Sequence, residues 1–136
     1  MNDEFTGGLP ASVIGIGVDI VDTERFATVI ARTPRVVTRL FTDAESLTSD
    51  GKSRSAVSLA ARFAAKEAVG KALGIGMTRW HEVEVVRGRG APTAILAGRC
   101  LRRAGDLGVV EVMLSLTHSR GMAAAVAILR GASPRQ

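Results

Sequence analysis

The stretch from Ser55 to Leu73 constrains this chain more than any other: it is rich in alanine, free of proline and closed by Gly74. Alanine loses no rotamer freedom on entering a helix, and glycine is favoured just past a helix end, where φ > 0 is wanted. One long helix is expected here. The flanking segments read differently. Val13 to Val21 is dominated by β-branched residues and predicts a buried strand. Val83–Val86 and Thr93–Leu96 predict two more strands around a Gly88–Pro92 turn. Val109–Leu116 and Met122–Leu129 predict a hairpin across Ser119-Arg-Gly121.

Shorter helices fill the gaps. Asp22 or Thr23 can cap a segment carrying Phe26, Val29 and Ile30 at helical spacing, and Pro34 interrupts it before a second helix to Phe41. Thr42-Asp-Ala-Glu45 has capping-box form, and the helix it opens fades into the polar Thr48–Ser53 loop. Ala97–Leu107 is a last helix, ended by Gly108. The class is α+β. A length of 136 residues fits one core. We expect a single domain over 13–130, with tails at 1–12 and 131–136. No repeat of 20–50 residues and no low-complexity segment interrupts it.

Aromatic residues make up only 4% of the chain, so the core must be built from Ala, Val, Ile and Leu. Such a core is lean, and association would help, since burying apolar surface contributes roughly 25 cal/mol per Å². The single cysteine, Cys100, excludes an intrachain disulfide and a Cys-rich zinc site, and reads as a packed thiol. Met1 to Ala11 holds two acids and no Lys or Arg, unlike a secretory signal. No apolar run approaches the roughly 20 residues that span a bilayer. A cytoplasmic location and no membrane partner are expected. The net charge of +5 is unevenly placed: Arg87, Arg89, Arg99, Arg102 and Arg103 lie with no acid between Glu84 and Asp106, and Arg25, Arg32, Arg35 and Arg39 form a second group. That excess favours a polyanionic partner.

Several residues carry chemistry. Asp19 sits in an apolar strand, where a lone carboxylate costs several kcal/mol unless paired, hydrogen-bonded or metal-bound. Glu67 follows Leu59 and Phe63 at i+8 and i+4, extending an apolar stripe, though it can also pair with Lys71 at i+4 for about 0.2–0.5 kcal/mol. Two acids on core-facing positions suggest one shared hard cation; Mg²⁺ would keep both ionised, with phosphate and water oxygens completing its octahedron. Such a site performs phosphoryl transfer by positioning and charge neutralisation. Gly15-Ile-Gly17 lacks the third glycine and following helix of a dinucleotide fingerprint. Gly74-Ile-Gly76 permits either close approach to a phosphate or a simple helix C-cap. His118, beside a tight turn, is a catalyst or a local hydrogen bonder; with only His81 besides, no histidine metal cluster exists.

Taken together, these segments resemble the holo-acyl-carrier-protein synthases, the small class of 4'-phosphopantetheinyl transferases. The resemblance is carried by Ile16-Gly-Val-Asp-Ile-Val21 with Glu24-Arg-Phe26, by Phe41-Thr-Asp-Ala-Glu45, and by Arg62-Phe-Ala-Ala-Lys-Glu-Ala-Val-Gly-Lys71 with Ala72-Leu-Gly-Ile-Gly76. Gly90-Ala-Pro92 and Leu114-Ser-Leu-Thr-His118 with Ala123-Ala-Ala-Val126 complete it. It implies a transferase-like fold, a small antiparallel sheet packed against a long central helix. It implies that Asp19 and Glu67 hold Mg²⁺, acting with Lys71 in catalysis, and that Arg62, Lys66, Lys71, Gly74, Gly76 and His118 lie against coenzyme A. A carrier-protein serine would attack the β-phosphate, leaving 3',5'-ADP; its proton acceptor is a metal-bound water or a carboxylate. The resemblance also implies a homotrimer with shared sites, and an acidic acyl carrier protein held by Arg25, Arg32 and Arg39. The longer N-terminus and the Arg87–Arg89 turn depart from the family pattern. Whether the carrier serves fatty acid or polyketide synthesis stays open.

Two other readings compete. A basic nucleic-acid-binding module would use the Arg clusters, but it lacks stacking aromatics and leaves Asp19 and Glu67 unexplained. A catalytically silent scaffold is opposed by the intact Asp19, Glu67 and Lys71.

Overall fold

The computed structural model describes residues 12–132, so most of the two expected tails lies outside the described residues. Strand β1 (Val13–Asp22) leads into α1 (Thr23–Arg32), α2 (Arg35–Leu40) and α3 (Asp43–Ser46), and then into the long α4 (Ala56–Leu73). Strands β2 (Val83–Val86) and β3 (Thr93–Leu96) precede α5 (Gly98–Leu107), β4 (Val109–Ser119) and β5 (Met122–Gly131). β1, β5 and β4, in that order, form an antiparallel sheet, and β2 pairs with β3. The α+β class and the sheet against a long helix are as expected.

Local chemistry explains the boundaries. Asp22 caps α1 by accepting from Arg25 N at 3.0 Å, and Ser55 caps α4 by accepting from Ser58 N at 3.2 Å. Gly74 ends α4 with φ 73°. At the β4–β5 turn, Arg120 and Gly121 both have positive φ, 48° and 81°, the pairing whose twist matches that of antiparallel strands. A short 3-10 turn, Trp80–Glu82, precedes β2 and has no counterpart in the sequence reading.

α4 packs across β1 and β5 through small residues: Ala64, Ala65 and Ala68 meet Ala125 and Ala127. Two glycines on β1 make this approach possible. A Cβ on Gly15 would lie 2.5 Å from the Ala72 carbonyl oxygen, and one on Gly17 would overlap the Ala68 carbonyl. β1 was expected to be buried; in the single chain it is covered on one side only. Its alternate residues Ile16, Val18 and Ile20 are 49%, 54% and 61% exposed, because α4 covers only the glycine face. Met113 on β4 and Val126 on β5 are exposed as well. A second apolar cluster, around Phe26, Leu40, Phe41 and Leu59, joins α1 and α2 to the N-terminal half of α4, with Phe63 stacked on Trp80 at 5.0 Å.

Candidate active site

Asp19 points from β1 toward α4, with its side chain 17% exposed. Its Oδ1 accepts from Lys71 Nζ at 2.9 Å, and the same ammonium donates to the Val18 carbonyl at 3.0 Å. Lys71 thus bridges to β1 rather than pairing along its own helix. Glu67, one turn earlier, is half-buried. Burial first, and the Asp19 charge second, push its carboxyl above the usual range, while Lys71 opposes them. Asp19, Glu67 and Lys71 therefore form one cluster on the β1 flank of α4. It holds two acids and one cation, and Glu67 feels the shortage of positive charge.

Arg62 and His118 gather elsewhere. Five residues separate Arg62 from Glu67, about 140° around the helix, and nine separate it from Lys71, about 180°. Arg62 accordingly lies on the β4 flank, in a cavity of about 320 Å³ lined also by Ser55, Ser58, Arg87, Thr117 and His118. Its Nη1 donates to Ser58 Oγ at 2.9 Å, while its Nε is buried without a partner. Burial first, then the positive charges of Arg54 and Arg87, draw its guanidinium down to about 10. A buried cation beside like charges, with an unused donor, is chemically suited to an anion. Arg87 was read only as one of an acid-free run of arginines, and Arg54, outside that run, was not singled out at all.

One expectation is corrected. Lys66 was placed on coenzyme A, but it is fully buried. Its three protons go to Glu45 Oε1 at 2.7 Å, the Trp80 carbonyl at 3.0 Å and the Val83 carbonyl, leaving no donor for a phosphate. Burial pulls its ammonium below the usual lysine value and Glu45 opposes that. Gly74 takes the helix C-cap, one of the two roles read for it. Its N–H bonds to the Gly70 and Lys71 carbonyls, and Ile75 N bonds to Gly70, so the peptide is spent on closing the helix. Gly76 has open space around it, and its carbonyl accepts from Arg99 Nη1 at 3.2 Å.

The arginines expected to meet a partner lie on α1 and α2. Arg25 borders an apolar groove lined by Phe26, Val29, Leu40, Phe63 and Trp80. Arg39 lines an adjoining cleft with Arg79, Trp80 and His81, and Arg32 is exposed at the end of α1. No helix among the described residues is long and apolar enough to cross a membrane.

Residues 15–124 fit the family model of the 4'-phosphopantetheinyl transferase superfamily. The chain is similar to a holo-[acyl-carrier-protein] synthase of Streptomyces coelicolor, 45% identical over 123 residues that cover 88% of this chain and 99% of that protein. Its fold is similar to a holo-ACP-synthase from Plasmodium yoelii, with a TM-score of 0.77 and 26% identity over 89% of this chain and 97% of that one. It is also similar to a holo-(acyl-carrier-protein) synthase from Bacillus anthracis solved in complex with CoA (3',5'-ADP), with a TM-score of 0.71 and 30% identity over 90% and 100% of the two chains. The chain belongs to the 4'-phosphopantetheinyl transferase superfamily.

Proposed function

We propose that this chain transfers 4'-phosphopantetheine from coenzyme A to a serine of an acyl carrier protein, releasing 3',5'-ADP. The observation that carries the reading is the Asp19–Glu67–Lys71 cluster, paired carboxylates and an ammonium on the β1 flank of α4. Asp19 and Glu67 are the residues that would hold Mg²⁺. They fit it: burial and mutual repulsion raise the Glu67 carboxyl, as expected where two acids await a divalent cation. Among the described residues no group of three or more His, Cys, Asp or Glu gathers, so phosphate and water oxygens would fill the remaining positions. When bound, the ion neutralises charge developing on the diphosphate.

The chain's own residues position the reactants. Lys71 places its ammonium beside the carboxylates, where it can meet a phosphate oxygen of coenzyme A. Arg62 and Arg87, with His118 beside them as a hydrogen-bonding group, offer a cationic cavity for a second anionic part of that molecule. The departing serine proton goes to one of the carboxylates or to a neighbouring water. Arg25, Arg32 and Arg39 face an acidic carrier, and the groove beside Arg25 takes its apolar side chains.

The reading extends to a cytoplasmic homotrimer. α4 stands between the two sets of site residues, so a ligand that needs both is best served by the β1 flank of one chain and the β4 flank of its neighbour. The exposed Ile16, Val18, Ile20, Met113 and Val126 give the sheet an apolar outer face for that contact. The test is 3',5'-ADP release. With coenzyme A and Mg²⁺, it should appear in step with apo carrier protein consumed, and not when the carrier is omitted. Release independent of the carrier would reject the reading.

A further inference from the structure

Helix α4 carries residues of both half-sites; Leu59, Val69 and Leu73 anchor it in the core, but where it crosses the middle of the sheet its contacts are made by alanines. Ala64, Ala65 and Ala68 rest on Gly15, Gly17, Ala125 and Ala127. Helix register is ordinarily set by ridges of side chains seated in grooves, and alanine ridges are shallow. The polar contacts of Lys66 are of another kind. Its three protons reach Glu45 on α3, the carbonyl of Trp80 and the carbonyl of Val83 at the start of β2. Glu45 in turn accepts from Val85 N at 2.9 Å and Thr42 N at 3.1 Å. The Phe41 ring centroid lies 5.7 Å from the ammonium. Both side chains have 0% exposure. A buried ion pair is a weak source of net stability, since desolvation offsets most of its attraction. It is, however, directional: three acceptors on two neighbouring segments admit one placement of α4.

We propose that Glu45 and Lys66 are a positioning pair that sets the roll of α4 and thereby aims the adjacent Glu67 at Asp19. Lys66 and Glu67 are consecutive, so a rotation of the helix carries both. With side-chain atoms about 6 Å from the axis, a roll of roughly 20° moves the Glu67 carboxylate by about 2 Å. A misplacement of about 1 Å at a reacting centre can cost on the order of 100-fold in rate. This inference rests on the reading of Asp19 and Glu67 as the paired carboxylates of the transfer site.

The test is Glu45→Asp, which keeps the charge and withdraws it by one methylene, about 1.5 Å. The variant is assayed at 20 °C, after circular dichroism and a melting curve establish that it is folded there. We expect kcat to fall about 10- to 100-fold with the KM for carrier protein unchanged. Mg²⁺ affinity, measured by titration calorimetry without substrates, should weaken about tenfold. A role confined to stability would lower the melting temperature alone, leaving kcat and Mg²⁺ affinity as in the parent chain; that result overturns the proposal. If Glu45→Asp does not fold, Lys66→Gln is measured in the same way and held to the same outcomes. A parent chain that neither binds Mg²⁺ nor transfers anything would instead refute the assignment of Asp19 and Glu67, and the pair's role would fall with it.

Discussion

Mixing two damaged chains tests whether the site is shared. One partner is Asp19→Ala, which removes a carboxylate from the β1 flank. The other is the double variant Arg87→Ala with His118→Ala, which strips the exposed guanidinium and imidazole from the cavity on the β4 flank. Both alterations lie at partly or fully exposed side chains, so each chain should fold. Two charge-assisted contacts at about 1.5–3 kcal/mol each amount to roughly 10²- to 10⁴-fold in kcat/KM, so the double variant alone should be nearly silent. Asp19→Ala alone should be silent as well. The pairing of flanks then sets the yield. A site built from the β1 flank of one chain and the β4 flank of another is intact when both contributors are undamaged there. Random 1:1 assembly gives each condition a probability of about one half, so about a quarter of the sites should be whole. The assay is carrier modification by co-expressed, co-purified chains, with recovery of about 25% of the parent rate. A mixture no more active than the average of the two variants would show that each chain uses only its own residues.

Other perturbations probe separate parts of the account. Gly17→Ala drives a methyl group into the Ala68 carbonyl; overpacking against backbone should cost about 3 kcal/mol and lower the melting temperature on the order of 10 °C, and an unchanged melting curve would contradict the close helix–strand contact. Burial and Asp19 hold the Glu67 carboxyl above its usual range, so its ionised form burdens the folded chain at neutral pH and the burden lifts as pH falls through the raised value. Without divalent cations, Glu67→Gln should therefore melt higher than the parent at pH 7.5, the gain vanishing below about pH 4; equal melting at pH 7.5 would refute it. Arg25→Ala should raise the KM for carrier protein about 5- to 150-fold and flatten its salt dependence, with the KM for coenzyme A little changed. A defect confined to coenzyme A would move Arg25 into the nucleotide site.

Periodicity and capping chemistry made the order of elements legible. Ser55 and Gly74 bound α4, and the Ser119–Gly121 turn joins β4 to β5 as expected. Asp19 was read as needing a partner because a carboxylate in an apolar strand is costly alone; that Lys71 is that partner was not read, since spacing offered Lys71 to Glu67 at i+4. Lys66 was placed on coenzyme A through the family resemblance alone, and helix geometry turns it about 100° away from the neighbouring Glu67. A lysine among Ala64 and Ala65 needs a buried acid; Glu45 meets it with the same Oε1 that takes Thr42 N in the capping box, while its Oε2 takes Val85 N. Arg87 could not be paired with Arg62 from spacing, since β2 and α4 meet only through the tertiary fold. The one-sided cover of β1 escaped for a related reason: a run of β-branched residues reads as a buried strand whether one face or both are covered.

The most direct measurement is the intact mass of the carrier protein after incubation with this chain, coenzyme A and Mg²⁺. The account predicts that apo carrier gains the mass of one phosphopantetheine group. It predicts no gain when the acceptor serine is changed to alanine, and none with Asp19→Ala in place of the parent chain. An unmodified carrier in the presence of folded parent chain, or a full gain with Asp19→Ala, would contradict it.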